Sequence, residues 1–261
     1  MNQHATTEPW KLVLIGLAAG FIGGGLGLGG GIVMVPLLVA VGFDQHRSHA
    51  TSLAAIVLIA AAGAVSFGMS DELALGIGVV IGIGGIVGSV IGASVMHRAS
   101  PRTLTIIFGI VLLVAGLRMI GGANPLPGAV GFGDSTQVVV AMGIGLVAGF
   151  FAGLAGIGGG VVIVPSTVLL LGLSQHEAQG TSLVAIVFTA IAGTIVNLKN
   201  KRVRLKDGLV VGVGGVIGSL IGSQLALGVE GRTLSLMFGF LVLFVAFRIF
   251  YRALRPQTQE V

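Results

Sequence analysis

The sequence predicts an all-α membrane protein made of two inverted repeats, each a broken, re-entrant helical hairpin followed by three transmembrane helices. High apolar content, an internal duplication and the charges of the loops predict this fold. Of the 261 residues, 54% are hydrophobic and 9% are charged, whereas about 25% of the residues in a soluble domain are charged. The 46 glycines are scattered through apolar stretches, where membrane helices tolerate them. This composition argues against a soluble fold.

An internal repeat covers both halves of the chain. AGFIGGGLGLGGGIVMVP, ending at Pro36, matches AGFFAGLAGIGGGVVIVP, ending at Pro165. DQHRSHATSLAAIV, from Asp44, matches SQHEAQGTSLVAIV, from Ser174. We therefore expect the following division: a first repeat at 1–120, a linker at 121–136, a second repeat at 137–250 and a tail at 251–261.

Each repeat contains four apolar segments. The first, at 12–41 and again at 137–171, is about 30 residues long, or about 45 Å if helical, and a glycine run and a proline interrupt it. It predicts two half-helices that form a hairpin. The other three segments approach or exceed the roughly 20 residues that cross a hydrocarbon core. They lie at 50–69, 73–96 and 103–120, and at 180–198, 208–229 and 233–250.

The charges of the loops bear on two competing topologies. If the broken segments cross the bilayer, the halves are parallel and the Lys and Arg residues are spread over both faces. If the segments are re-entrant, the halves are inverted, and every Lys and Arg except Arg118 and Arg232 lies on one face. The equivalent loops MSDEL and NLKNKRVRLKD have opposite charge, which favours inversion. Positive loops face the cytoplasm, so this arrangement predicts an inner-membrane protein with both termini cytoplasmic; both topologies stay open.

The two glycine runs are candidate anion-binding loops. Without side chains, their backbone N–H groups could converge on a ligand at the positive ends of the half-helices. Broken helices form such sites near the midplane of inverted-repeat transporters. The alternative is that the glycines serve only a tight turn and close packing. The predicted substrate-binding glycines are Gly27, Gly29, Gly30, Gly31, Gly156, Gly158, Gly159 and Gly160.

Paired hydroxyl residues stand where the second apolar segment of each repeat begins. Thr51 and Ser52 match Thr181 and Ser182. Their hydroxyls could donate to an oxyanion beside the glycine loop, or they could cap the helix start, as Ser and Thr often do. Five further residues are candidate gate or supporting residues: Pro36, His49, Pro165, Gln179 and Asn197.

The acidic residues restrict the class of substrate. All 9 Asp and Glu residues fall outside the predicted spans, whereas transporters that bind cations or relay protons usually place a carboxylate inside the membrane. The sequence predicts no metal site, because no carboxylate or second His recurs at helical ligand spacing in both halves, and no nucleotide site, because no G-K-[ST] follows the glycine runs. Its basic residues lie in short loops, which argues against a nucleic-acid partner. It has no cysteine nucleophile, and no cofactor or catalytic site is predicted. We expect a small anion as substrate and the lipid bilayer as surroundings. The oligomeric state is not predicted.

The motifs GLGLGGGIVMVP with HATSL, and GLAGIGGGVVIVP with QGTSL, resemble the sulfite exporter (TauE/SafE) family of membrane anion permeases. The resemblance covers both repeats and implies transport of sulfite, an organosulfonate or a related oxyanion or carboxylate, in either direction. The chain is thus expected to be a secondary transporter, an exporter of a small sulfur-containing anion that works by alternating access. A passive anion channel, an importer and a structural or assembly protein are the alternatives. His49 opposite Gln179, and Gly25 opposite Leu154, make the expected site asymmetric.

Overall fold

The computed structural model describes residues 8–95, 101–122, 135–155, 159–199 and 203–254. These residues form ten α-helices, five in each half of the chain. The helices of the first half are α1 (Pro9–Gly25), α2 (Gly31–Ala40), α3 (Gln45–Gly68), α4 (Leu75–Val95) and α5 (Pro101–Ile120). Those of the second half are α6 (Ser135–Ala155), α7 (Gly160–Leu171), α8 (Gln175–Lys199), α9 (Leu205–Leu227) and α10 (Gly231–Leu254).

Six of the described helices are long and apolar enough to cross a membrane: α3, α4, α6, α8, α9 and α10. Helix α5 has 20 residues, or about 30 Å, while α1, α2 and α7 are shorter apolar helices. Helix α6 differs from the expectation of a half-helix. It continues for 21 residues through its own glycines, so the first arm of the second broken segment is itself as long as a membrane span.

The first broken segment turns between α1 and α2. Gly27, Gly29 and Gly30 have φ angles of 71°, 72° and 86°, which residues other than glycine rarely adopt. The N–H groups of Leu28 and Gly29 both donate to the carbonyl of Gly23, at 2.8 and 3.1 Å. These bonds end α1 and direct the chain back along it.

Helix α3 begins five residues before the apolar segment that predicted it. The Asp44 carboxylate accepts the backbone N–H of Arg47 at 2.9 Å, which satisfies one of the unpaired donors of the first turn. Hydropathy misses this turn because residues 45–49 are polar, whereas the cap makes it helical. His49, Thr51 and Ser52 are therefore inside the helix rather than at its start.

Helices of opposite halves pack against each other through glycine ladders. Gly214, Gly218 and Gly222 of α9 lie directly on the backbone of α1, and the equivalent ladder of α4 lies on the backbone of α6. A Cβ on Gly84, for example, would lie 2.6 Å from the Met142 carbonyl oxygen. The spacing of four places each ladder on one helix face, where the glycines allow the helix backbones to approach closely. The two halves are therefore interleaved.

The relative directions of the packed helices follow from their contacts. A Cβ on Gly63 of α3 would lie 2.8 Å from Leu183 of α8, and one on Gly193 would lie 3.0 Å from Leu53. Residue numbers thus rise along α3 as they fall along α8, and the two equivalent helices are antiparallel. By the same criterion α5 and α10 are antiparallel, while α1 runs parallel to α9 and α4 runs parallel to α6.

Candidate anion-binding site

The turn between α1 and α2 lies near the mid-length of two long helices. A Cβ on Gly29 would lie 2.9 Å from Cγ2 of Ile186 and 3.2 Å from Cγ2 of Ile56. Ile56 is about halfway along α3, and Ile186 is about halfway along α8. The turn is therefore level with the middle of two helices that have the length of membrane spans.

The start of α7 meets this turn. A Cβ on Gly160 would lie 2.7 Å from the Gly27 carbonyl oxygen, 2.9 Å from Cα of Leu28 and 3.1 Å from Cδ1 of Ile186. The backbone of α7 therefore approaches the α1–α2 turn with no side chain between them. Gly159 precedes α7, and its carbonyl accepts the N–H groups of Val162 and Ile163 at 3.0 Å each.

The electrostatic character of this region comes from backbone rather than from charged side chains. Helices α2 and α7 both begin here, and a helix start carries a partial positive charge and unpaired N–H groups. The described acidic residues all lie at helix ends or in loops. Within the part of the chain that the structure describes, no three His, Asp or Glu side chains are grouped as a metal site would require.

Ser182 joins the two halves at the turn. Its hydroxyl donates to the carbonyl oxygen of Gly27 at 2.8 Å, in a fully buried position. The equivalent Ser52 donates instead to the His49 carbonyl of its own helix at 2.9 Å. Among the described residues, Ser182 thus contacts a glycine loop through its hydroxyl, whereas the hydroxyl of Ser52 bonds within its own helix.

The two predicted threonines bind the starts of neighbouring helices. The N–H of Arg204, just before α9, donates to Oγ1 of Thr51 at 3.3 Å. The N–H of Ala74, just before α4, donates to Oγ1 of Thr181 at 3.1 Å. Both threonines are fully buried. The bonds are equivalent in the two repeats, and they give each threonine a positioning role outside the glycine loops.

The remaining predicted residues are dispersed. Asn197 donates to the Gly193 carbonyl at 2.8 Å and lies about 27 Å along α8 from Gln179, so these two do not share one site. Pro36 and Pro165 are inside α2 and α7 rather than at their ends. Gly31 is the first residue of α2. Gly156 and Gly158 lie outside the described residues.

Gln179 has surroundings that the sequence did not reveal. It is fully buried, and its Cβ would lie 2.9 Å from a Cβ on Gly27. Neither its amide nitrogen nor its amide oxygen has a hydrogen-bond partner in the described part of the protein, and the same holds for Gln175, one turn earlier. The sequence marks Gln179 as a candidate gate or supporting residue, but its missing hydrogen-bond partners become evident only in three dimensions.

The apolar helices of the two halves interleave, and the chain turns between α1 and α2 near the middle of the long helices. This arrangement is that of a multi-pass membrane transporter. The chain belongs to the sulfite exporter TauE/SafE family, whose sequence profile matches residues 2–123 and 141–261. This confirms the resemblance, and the two matched parts coincide closely with the two repeats. The family consists of transporters rather than enzymes.

Two curated relatives cover almost the whole chain. One is a "Probable membrane transporter protein" of Xylella fastidiosa, strain Temecula1, 28% identical over 92% of each chain. Another is the "Probable membrane transporter protein YunE" of Bacillus subtilis, 26% identical over 93% of this chain and 97% of its own. No solved structure matches the chain.

Proposed function

We propose that this protein is a secondary transporter that exports a small sulfur-containing anion, such as sulfite or an organosulfonate, by alternating access around a central binding site. The observation that carries the proposal is the meeting of the α7 start with the α1–α2 turn at the mid-length of α3 and α8. Two positive helix ends and backbone N–H groups favour an anion there. A cation would need a carboxylate near this centre, whereas the described acidic residues lie at helix ends or in loops.

In this proposal α1–α2 and α6–α7 are re-entrant hairpins of two inverted repeats. The antiparallel packing of α3 on α8, and of α5 on α10, supports the inversion. In a parallel duplication, equivalent helices run in the same direction across the membrane. The packing of Gly30 close to the Ala19 carbonyl also supports a reversal of the chain after α1. Both termini are then cytoplasmic, in the inner membrane of the cell.

A difference between equivalent helix ends supports alternating access. Gln45 and His46 at the start of α3 are exposed, while their counterparts Gln175 and His176 are buried and half-buried. The His176 ring also contacts the carbonyls of Ala226 and Val229, each at 3.1 Å, at the end of α9. The start of α8 is thus covered by the end of α9, whereas the first two residues of α3 are exposed. Exchange of these conformations between the repeats would expose the centre to the opposite side.

The proposed binding groups are the helix starts at Gly30, Gly31, Gly159 and Gly160. Gly27 and Gly29 shape the turn, because their own N–H groups donate to the carbonyls of Gly24 and Gly23, and Ser182 fixes it. Thr51 and Thr181 position α9 and α4 around them. Export needs no ion-binding carboxylate, because the membrane potential favours the exit of an anion by about 2.3 kcal/mol per charge per 100 mV. The basic cytoplasmic loops would concentrate the anion at the entrance.

Purified protein in proteoliposomes tests the proposal. Unlabelled sulfite inside the vesicles should drive saturable uptake of radiolabelled sulfite, and the assay should be repeated with methanesulfonate and acetate. Gly160→Ala should abolish counterflow, since its Cβ would lie 2.7 Å from the Gly27 oxygen. Gly143→Ala in α6, where nothing lies within 4 Å, is the matched control and should transport normally.

The assay also separates the alternatives. A passive anion channel would give flux that rises linearly with concentration and shows no counterflow. A structural protein would give neither flux nor a ligand-induced rise in unfolding temperature with any of the three anions. Vesicles of known orientation, with the potential imposed in either direction, distinguish an exporter from an importer.

A further inference from the structure

Two buried glutamines at the start of α8 have no visible hydrogen-bond partners. Gln179 is 0% exposed and Gln175 is 7% exposed. Within the described residues, all four of their amide atoms lack a partner, whereas buried polar groups in folded proteins are almost always hydrogen-bonded. Such unpaired groups call for an explanation, and a ligand bound during the transport cycle is one.

The two side chains belong to a single stripe of α8 that leads to the centre of the protein. Residues 175, 179, 182 and 186 are spaced by four, three and four, so they share one helix face. Gln179, Ser182 and Ile186 of this stripe all contact the α1–α2 turn. From Gln175 to Ile186 the stripe is about 16 Å long. It therefore extends from the buried start of α8 to the proposed central site.

We propose that Gln175 and Gln179 form a second substrate-binding site between the start of α8 and the central turn, which Gln179 adjoins, and that this site is selective for an anion with a hydrogen-bond donor of its own. This inference rests on the proposed function. Hydrogensulfite, which keeps one proton, and hydroxylated sulfonates belong to this class, whereas a fully deprotonated, acceptor-only anion does not.

The requirement for a donor follows from the chemistry of the amide. Each glutamine offers an NH₂ donor and a carbonyl acceptor. An acceptor-only anion would pair with the NH₂ group but would leave Oε1 unpaired in a buried site, where such atoms are costly. An anion with an O–H group satisfies both ends. Glu177 lies between the two glutamines in sequence. Its carboxylate accepts the N–H of Ser174 at 2.9 Å and is thereby held at the helix start.

Isosteric competitors test this selectivity. 2-Hydroxyethanesulfonate and propane-1-sulfonate differ only by a hydroxyl in place of a methyl group. In the wild type, the hydroxylated sulfonate should inhibit counterflow of radiolabelled sulfite about tenfold more strongly, which corresponds to about 1.4 kcal/mol. In Gln179→Met, of similar length but without an amide, the two should inhibit equally. Gln179→His should retain the preference, because a neutral imidazole also has one donor and one acceptor.

A second glutamine serves as the control. Gln224 of α9 donates from Nε2 to the Ser66 hydroxyl at 3.0 Å, so Gln224→Met should leave the preference unchanged. Thermal unfolding in detergent supplies an independent readout. Gln179→Met should unfold at the wild-type temperature or above it, since it removes two unpaired polar atoms from a buried position.

Several results would overturn the inference while leaving the proposed function intact. The ratio of the two inhibitors could be the same in the wild type and in Gln179→Met, including the case in which neither inhibits. Gln179→Met could also unfold at a clearly lower temperature, which would mean that the amide, or water bound to it, is part of the folded structure. Absence of sulfite counterflow in the wild type would instead refute the proposed function.

Discussion

At the residue scale, equivalent hydroxyl groups of the two repeats have taken different partners. Ser182 donates across the interface between the repeats to Gly27, whereas Ser52 bonds within α3. The threonines beside them kept equivalent partners at the starts of α9 and α4. Duplication therefore preserved the bonds that position whole helices and allowed the contacts of the central turn to diverge.

We expect Ser182→Ala to destabilise the protein by about 1–3 kcal/mol, because it leaves the buried carbonyl of Gly27 without its donor. The α1–α2 turn would also be less firmly held, and sulfite counterflow should slow. Thermal unfolding in detergent and proteoliposome transport measure the two effects. Ser52→Ala is the control and should change stability and transport less, since the Ser52 hydroxyl donates only to a carbonyl of its own helix. Equal effects of the two substitutions would contradict the role assigned to Ser182.

The central turn could be predicted from local sequence, and its supporting contacts could not. The glycine runs marked the turn because left-handed backbone needs glycine, and Gly27, Gly29 and Gly30 adopt it. Thr51 looked like a ligand or a cap because its true partner, the N–H of Arg204, is distant in sequence. No local pattern indicates that the Gln179 amide lacks hydrogen-bond partners, since a missing partner is a property of the packed molecule.

At the element scale, the direct contact of helix backbones depends on the glycine ladders. Each ladder places small residues at a spacing of four, so that the neighbouring helix can approach closely. Dispersion between closely packed atoms then replaces the hydrophobic effect, which provides no driving force between helices in lipid. Helix propensity alone would disfavour these glycines, and packing must therefore outweigh a cost of about 1 kcal/mol for each.

Gly88→Ala and Gly76→Ala should separate the effect of helix packing from that of helix propensity. A Cβ on Gly88 would overlap the carbonyl oxygen of Leu146, so α4 and α6 must move apart, and such overpacking typically costs about 1–3 kcal/mol. Gly76→Ala, in the same helix, has nothing within 4 Å and should stabilise by up to about 1 kcal/mol. Thermal unfolding of the two variants is the measurement. A loss of stability in both would mean that the ladder has no special role.

The lengths of the elements show where hydropathy reaches its limit. Hydropathy predicts the apolar segments, but it carries no information on caps and so does not predict that Asp44 extends α3 into polar sequence. Nor could it show that α6 remains a continuous helix of 21 residues. In α6 the close contact with α4 supports the glycines, and tertiary packing overrides their low helix propensity.

At the scale of the whole molecule, neither half forms a complete packing unit. Helix α1 packs on α9 and its counterpart α6 packs on α4, so each half supplies a surface that the other buries. The central turn likewise combines Gly27 of one half with Ser182 and Gly160 of the other. A site built in this way can change shape when the halves move relative to each other, as alternating access requires.

The proposed inversion makes a prediction for two equivalent loop positions. The chain has no cysteine, so single cysteines introduced by Ser70→Cys and Asn200→Cys give unambiguous labelling. A membrane-impermeant thiol reagent added outside intact cells should label position 70 alone, and position 200 should react only after the membrane is opened. Antiparallel packing of α3 on α8 requires this result if both helices span the bilayer, because the two positions follow the ends of those helices. Labelling of both positions from one side would support the parallel topology instead. The glycine turns would then not belong to re-entrant hairpins.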